Sequence, residues 1–244
     1  MLGIGNDLVG GSYAAVDRGY SLSFDGSNDI VSLGDVLDLG TTDFSFSLWI
    51  NSPMDNSNDA YIMTKREDND DHINIFIEGS SKKIKVQCHG GGNQVFTKVG
   101  GSSLAPLADT WVNVCLSVDR DGNGAVYING TTNTYGVALV SASNSSQTLS
   151  NTASWAFGSF HPSIWNQGIE MLMTDVAFFN VALSATEVTA IYNNGVPGDL
   201  LGHSQSSALT AYWRFNENTG TTVADEIGSN DLTIDGATWS TNVP

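Results

Sequence analysis

Two stretches of this 244-residue chain hold side chains whose types and spacing can do chemistry. The first, "FDGSND" (24–29), gathers Asp25, Asn28 and Asp29 around Gly26. Calcium takes about six to eight oxygens, mixing carboxylates with backbone carbonyls, and a bent run of Asp, Asn and Gly supplies both. The same residues can equally cap a turn, with Asp25 and Asn28 accepting from nearby backbone N–H groups. The second stretch, "WAFGSFHPSIWN" (155–166), crowds aromatic rings beside amides. Sugars stack their apolar faces on such rings while polar side chains fix the hydroxyls. Trp165, with Asn166, Gln167 and His161, is the candidate glycan-binding set, whereas Trp155 and Phe157 alternate as core residues of a strand do.

Other reactive-looking groups carry less. "DRDGNG" (119–124) lacks the later ligand positions and the closing Glu of an EF-hand, and reads as a hairpin turn. "REDNDD" (66–71) reads as a solvated acidic loop, a second cation site being the alternative. Glu67, Glu78, Glu170, Glu187, Glu217 and Glu226 are isolated from one another in the sequence, and most fall in loops. His72, His89, His161 and His203 lie in no recognisable nucleophile context, and His72 and His89, following polar turns, read as surface histidines. "HGGGN" (89–93) lacks the Lys-Ser/Thr and helix of a phosphate loop. The expectation is a protein without catalytic residues. Cys88 and Cys115 read as buried free thiols, with one bridge between neighbouring strands as the alternative.

The charge balance points the same way. Nine basic residues face 26 acidic ones, a formal net charge of −17. So acidic a surface repels phosphate backbones and anionic lipid, which disfavours nucleic acid and membrane as partners. No run approaches the ~18 apolar residues a membrane span needs. The first residues, "MLGIGNDLVGGSYAAVDRG", lack the basic and apolar regions of a secretory signal. Either a signal has been trimmed, or the protein is made in the cytosol and leaves by a route such as lysis.

The dominant sequence period is two. "FSFSLWI" (44–50), "INIFIEG" (73–79), "KIKVQC" (83–88), "WVNVCLSVD" (111–119) and "AVYING" (125–130) alternate or are β-branched, and turn-rich segments separate them. Many short strands without intervening helices predict an all-β antiparallel sandwich or jelly roll. One helix stands out: Ser184 and Glu187 form a capping box, followed by Val188, Ile191 and Tyr192 at helical spacing and a stop at "NNG" (193–195). It is expected to cover an open end of the sandwich. "GVPGDLLGHSQSS" (195–207) is a connector, after which "LTAYWRFNE" and "NDLTIDGATW" return to strand-like patterning.

Several motifs in order resemble the laminin-G-like, concanavalin A-like jelly rolls: "LSFDGSNDIVSLGD", "FSFSLWI" with Trp49 at an aromatic position, "TWVNVCLSVDRDGNGAVYING", and "MLMTDVAFFNVALSATEVTAIYNNG". The resemblance covers residues 21–195 and implies the fold more than the activity. It implies a rim calcium held by Asp25 and Asp175, with Asp29 or the Gly26 carbonyl in addition, structural in role. The hydrolases of this fold carry a Glu-x-Asp-x-(x)-Glu strand that this sequence lacks. "LTAYWRFNENTGTTVADEIGSNDLTIDGATW" resembles the segment that normally precedes the "FDG" strand, yet here it comes last. Strands near Tyr212–Phe215 and Leu232–Ile234 are therefore expected to return beside Leu22–Phe24, as in a circular permutation. The domains are thus an extended arm (1–20), the jelly roll (21–195), and a connector with strands completing the same sandwich (196–244).

"YNNGVPGDL" followed by "AYWRF" also resembles the tails of bacteriophage virion proteins. The resemblance implies a non-enzymatic capsid decoration or fibre component, a homo-oligomer or assembly part made in the host cytoplasm, touching other virion proteins or surface glycans. A secreted or cell-surface lectin is the alternative.

Overall fold

The computed structural model describes residues 18–133, 138–139, 144–161 and 168–244. Most of the expected arm (1–17) lies outside the described residues, as do Trp165, Asn166 and Gln167.

The period-two segments become strands of two antiparallel sheets. A nine-stranded sheet holds β1 (Ser21–Asp25), β3 (Phe44–Asn51), β8 (Val112–Val118), β9 (Asn123–Ile128), β10 (Thr131–Thr132), β11 (Ala138–Leu139), β13 (Glu170–Phe179), β14 (Leu209–Trp213) and β17 (Thr238–Ser240). An eight-stranded sheet holds β2 (Ile30–Leu33), β4 (Ala60–Arg66), β5 (His72–Ile77), β6 (Ile84–Gly90), β7 (Asn93–Val99), β12 (Trp155–Phe157), β15 (Thr222–Val223) and β16 (Leu232–Asp235). The order in the first is β10-β9-β8-β3-β13-β1-β17, with β14 also on β13 and β11 on β9. In the second it is β15-β16-β2-β12-β4-β5-β6-β7. This is the antiparallel sandwich that the alternation predicts, in keeping with the jelly roll that the family resemblance implies.

Along the longer strands alternate residues face the partner sheet and are mostly apolar, because a pleated strand sends successive side chains to opposite faces. Ile73, Ile75 and Ile77 of β5, Ile84, Val86 and Cys88 of β6, and Val112, Val114, Leu116 and Val118 of β8 all enter one core. Its centre is aromatic. Phe178 meets Phe46 at 4.6 Å, Trp155 at 5.1 Å and Trp213 at 5.4 Å, mostly edge to face as ring quadrupoles favour. Trp155 and Phe157 are core residues, whereas Trp49 turns outward and stacks on Tyr192.

The "FDGSND" bend carries the chain from β1 in one sheet to β2 in the other, which a flat hairpin cannot do. Gly26 holds φ 78° there, a left-handed value that suits glycine. The C-terminal strands follow the same corner. β16 pairs with β2 (Thr233 opposite Ser32) and β17 pairs with β1 (Trp239 opposite Leu22). Among the C-terminal strands the neighbour of β1 is therefore 238–240; Leu232–Asp235 lies beside β2, and Leu209–Trp213 beside β13.

Helix α1 (Ala185–Tyr192) has its capping box: Ser184 Oγ accepts from Glu187 N–H, and Glu187 Oε2 accepts from Ser184 N–H at 2.7 Å. It covers the outer face of the nine-stranded sheet instead of an open end. That face is apolar at Cys115, Tyr127, Ala177 and Phe179, and Val188 and Ile191 seal it. Cys88 and Cys115 are free and buried in different clusters. Burial pushes the Cys88 thiol up to about 12, which keeps it protonated near neutral pH.

Trp213 is fully buried between the sheets, with Nε1 donating to Asn230 O at 2.8 Å. Trp213→Ala is expected to cost about 3–5 kcal/mol of folding stability. Urea denaturation monitored by far-UV circular dichroism measures it.

Candidate functional site

The bend residues serve the turn. Asp25 Oδ1 accepts from Ser27 N–H at 2.8 Å, and Asp29 Oδ2 accepts from Asp25 N–H at 2.8 Å. Burial raises the Asp29 carboxyl from its ordinary value, against the Asp25 N–H bond, and the Asp25 and Asp235 carboxylates add to the rise. Asp25 also borders an open groove of about 470 Å³ with Asn51, Asp109, Glu170 and Asn242.

Asp175 does not join them. Asp25 stands opposite Glu170 on β13, five positions from Asp175, which is about 16 Å along a strand. Asp175 sits at a bulge in β13 with φ 51° and is buried. Its Oδ2 accepts from Arg18 Nε at 2.7 Å, and its Oδ1 lies 2.7 Å from Arg18 Nη2 and accepts from the Tyr212 hydroxyl at 2.9 Å. Arg18 Nη2 also donates to Gly198 O. Burial raises the Asp175 carboxyl, and the Arg18 guanidinium and Tyr212 hydroxyl oppose that rise. Among the described residues no group of three or more His, Cys, Asp or Glu side chains is placed to hold a metal. The calcium set Asp25, Asp29 and Asp175 is therefore not assembled: an arginine already balances the carboxylate on the closing strand.

Chemistry concentrates instead on the outer face of the eight-stranded sheet. The alternation that sends Ile73, Ile75 and Ile77 inward sends His72, Asn74 and Phe76 outward, and likewise Lys85, Gln87 and His89 of β6. Register aligns these residues into rows. One runs Tyr61, Phe76, Lys85, Val99; the next Thr64, Asn74, Gln87, Thr97; the third Arg66, His72, His89, Gln94.

The first row is an aromatic cluster. Tyr61 stacks on Phe76 at 4.8 Å and meets the edge of Phe160 at 4.8 Å. Arg66 Cζ lies 4.6 Å over the Phe160 ring, and Lys85 Nζ lies 5.7 Å from the Phe76 centroid. Phe160 is brought here by Gly158, at φ 82°, where a Cβ would run into the Phe24 ring. The Thr64 hydroxyl then lies 3.2 Å from the Phe160 carbonyl it donates to. His161, half-buried, follows directly, so the aromatic loop singled out in the sequence begins on this face.

The third row corrects the surface reading of the histidines. His72 is buried and stacks on half-buried His89 with centroids 4.4 Å apart. Burial, then His89 and Arg66, holds the His72 imidazole down at about 4, and burial lowers His89 too. Both rings are neutral near pH 7. His72 Nδ1, Asn74 Oδ1 and Thr97 Oγ1 are buried without a hydrogen-bond partner. Tyr61, His72, Asn74 and Phe76 were missed by motif reading, although the period of two in "HINIFI" already separates them from the isoleucines.

A family model described as the concanavalin A-like lectin/glucanases superfamily (Laminin_G_3) matches residues 25–189. Among solved structures, a candidate carbohydrate binding protein from Bacteroides ovatus ATCC 8483 superposes with TM-score 0.66 at 17% identity. That match covers 94% of this chain, which spans 61% of the other. The heptameric SAP-like pentraxin from Limulus polyphemus gives 0.57 at 14% identity, covering 90% of this chain and 96% of that one. Domain 4 of AbnA, a GH43 extracellular arabinanase from Geobacillus stearothermophilus solved with arabinotriose, gives 0.53 at 19% identity over 76% and 84%. At these identities the likeness is one of fold. No curated protein matches the sequence at a significant level.

Two outcomes follow from this geometry. Arg18→Ala, which strands a buried carboxylate, is expected to lower stability by about 3–5 kcal/mol in urea denaturation, whereas a calcium chelator leaves the melting midpoint of the unaltered protein in place. The folded His72 takes its proton near 4 and the unfolded one near 6.5, so the unfolded state binds the extra proton between them. The melting midpoint is therefore expected to fall as pH drops from 6.5 to about 4, and less steeply in His72→Asn.

Proposed function

Because the chain belongs to the concanavalin A-like lectin/glucanase superfamily, we propose that it is a non-catalytic carbohydrate-binding module that takes a saccharide on the outer face of its eight-stranded sheet. The observation that carries this reading is the half-exposed Phe160 ring, backed by buried Tyr61 and Phe76, edged by Arg66 and lying beside the Thr64–Asn74–Gln87–Thr97 row. Rings beside amides and hydroxyls are the combination that holds a sugar's apolar face and its hydroxyls together. The names of the Bacteroides and arabinanase structures favour the same class of ligand. Retaining hydrolysis needs two carboxyls about 5 Å apart, and the three outward rows described above contain no Asp or Glu.

The module's carrier is a virion, as a capsid decoration or fibre component assembled with other virion proteins or further copies of itself. The support is the junction from Tyr192 through Leu200 into "AYWRF", which resembles bacteriophage virion proteins and here packs Leu200 and Tyr212 against the nine-stranded sheet. A secreted or cell-surface module is the second reading, favoured by the likeness to an extracellular arabinanase domain.

Phe160→Ala removes the half-exposed ring of the cluster. It is expected to weaken oligosaccharide binding by about tenfold or more, the equivalent of ~1.4 kcal/mol, with little change in melting midpoint. Glycan-array screening followed by calorimetric titration measures this. Unchanged affinity in the variant would place the sugar elsewhere on the molecule.

A further inference from the structure

We propose that the ligand of this face is a neutral saccharide segment whose hydroxyls pair with Asn74 Oδ1, His72 Nδ1 and Thr97 Oγ1. The inference rests on the carbohydrate-binding reading above and specifies its substrate class. Buried polar atoms in folded proteins are nearly always hydrogen-bonded, because an unpaired one has lost its water without replacement. Here three unpaired atoms sit on one sheet face. Asn74 lies opposite Gln87 and Gln87 opposite Thr97, so Asn74 and Thr97 are two strands or about 9.6 Å apart. His72 lies two residues or about 6.7 Å from Asn74 on the same side of β5. That extent suits a short oligosaccharide better than a single ring.

The chemistry of the three atoms selects the ligand. An amide oxygen only accepts, so Asn74 Oδ1 requires a donor, which a sugar hydroxyl is and a carboxylate or sulfate is not. A neutral imidazole nitrogen donates or accepts according to tautomer, and a threonine hydroxyl does either; a sugar hydroxyl answers both. The neighbouring cations are already engaged. Arg66 lies on Phe160 and bonds Asn69, and Lys85 is 3.7 Å from Glu78. Asp68, Asp70 and Asp71 flank the histidine end, and Asp70 acts on His89. Among the described residues an anionic sugar meets these three carboxylates against the single guanidinium of Arg66, whose partners Phe160 and Asn69 are neutral. All three atoms are buried, so ligand binding requires half-exposed Gln87, in register between Asn74 and Thr97, and half-exposed His89, stacked on His72, to turn aside.

The test titrates the full chain with arabinotriose and maltotriose, and separately with tri-galacturonate, at pH 7. Binding of a neutral trisaccharide in preference to the uronate is expected. Asn74→Leu is expected to weaken that binding about tenfold or more while leaving the melting midpoint equal or higher, since an unpaired acceptor has been removed. If Asn74→Leu does not fold, Thr97→Val carries the same test. Tighter binding of the uronate overturns the inference but leaves the carbohydrate-binding reading standing. So does a variant that loses stability and keeps its affinity. A chain that binds none of the saccharides on this face overturns both.

Discussion

The structure depends on a charge pair inside the sandwich wall. Asp175 breaks the pairing of β13, its backbone in the left-handed region, and offers its carboxylate to Arg18 and Tyr212. Asp tolerates that backbone better than most residues, and a buried carboxylate persists only with partners that satisfy both oxygens. The result ties three distant parts of the chain at one point: the entry to β1, the central strand β13, and β14 with the connector before it. A bulge in a strand is thus the reason the two ends of the fold hold to its middle. The inward-facing aromatic residues then complete the closure, with Trp213 delivered by β14 against Phe178.

The two outer faces of the sandwich are treated differently. On the nine-stranded sheet, apolar residues such as Tyr127, Ala177 and Phe179 are sealed by α1 and by Leu183, Leu200 and Leu209. On the eight-stranded sheet the outward positions carry amides, hydroxyls, imidazoles and a clustered set of rings. A polar row such as Thr64–Asn74–Gln87–Thr97 contributes little to a core, and leaving three of its neighbourhood's atoms unpaired detracts from stability. Residues that cost folding energy together on one sheet face are where function is sought.

The sandwich itself was legible because its signals are local. Alternation in "HINIFI" and "WVNVCLSV" separates two faces, and the Ser184–Glu187 box starts a helix where the structure has one. Alternation names a side, however, and not the layer that side meets, so the helix was assigned to an open end when Cys115, Tyr127 and Ala177 had already made an apolar outer surface for it. Asp175 matched a metal-ligand position by resemblance, and only the fold shows that Arg18, 157 residues away in sequence, reaches it first. His72 was read as exposed from the acidic turn before it. Its period with Asn74 and Phe76 held the better clue, but burial of an outward face depends on neighbours from β4 and β6 that no single strand reveals.

The adjacency of β1 and β17 has a consequence for how the molecule is held. Ser21 is opposite Ser240, and its hydroxyl donates to Asn242 O at 2.7 Å, so the chain enters and leaves the sandwich at neighbouring points of the nine-stranded layer. The surface proposed for the saccharide belongs to the other layer. A scaffold joined through either point holds the domain at the β1–β17 edge, which is not part of that surface. Copies tethered at this edge to a common scaffold would keep that surface free, and weak individual contacts would add up to avidity.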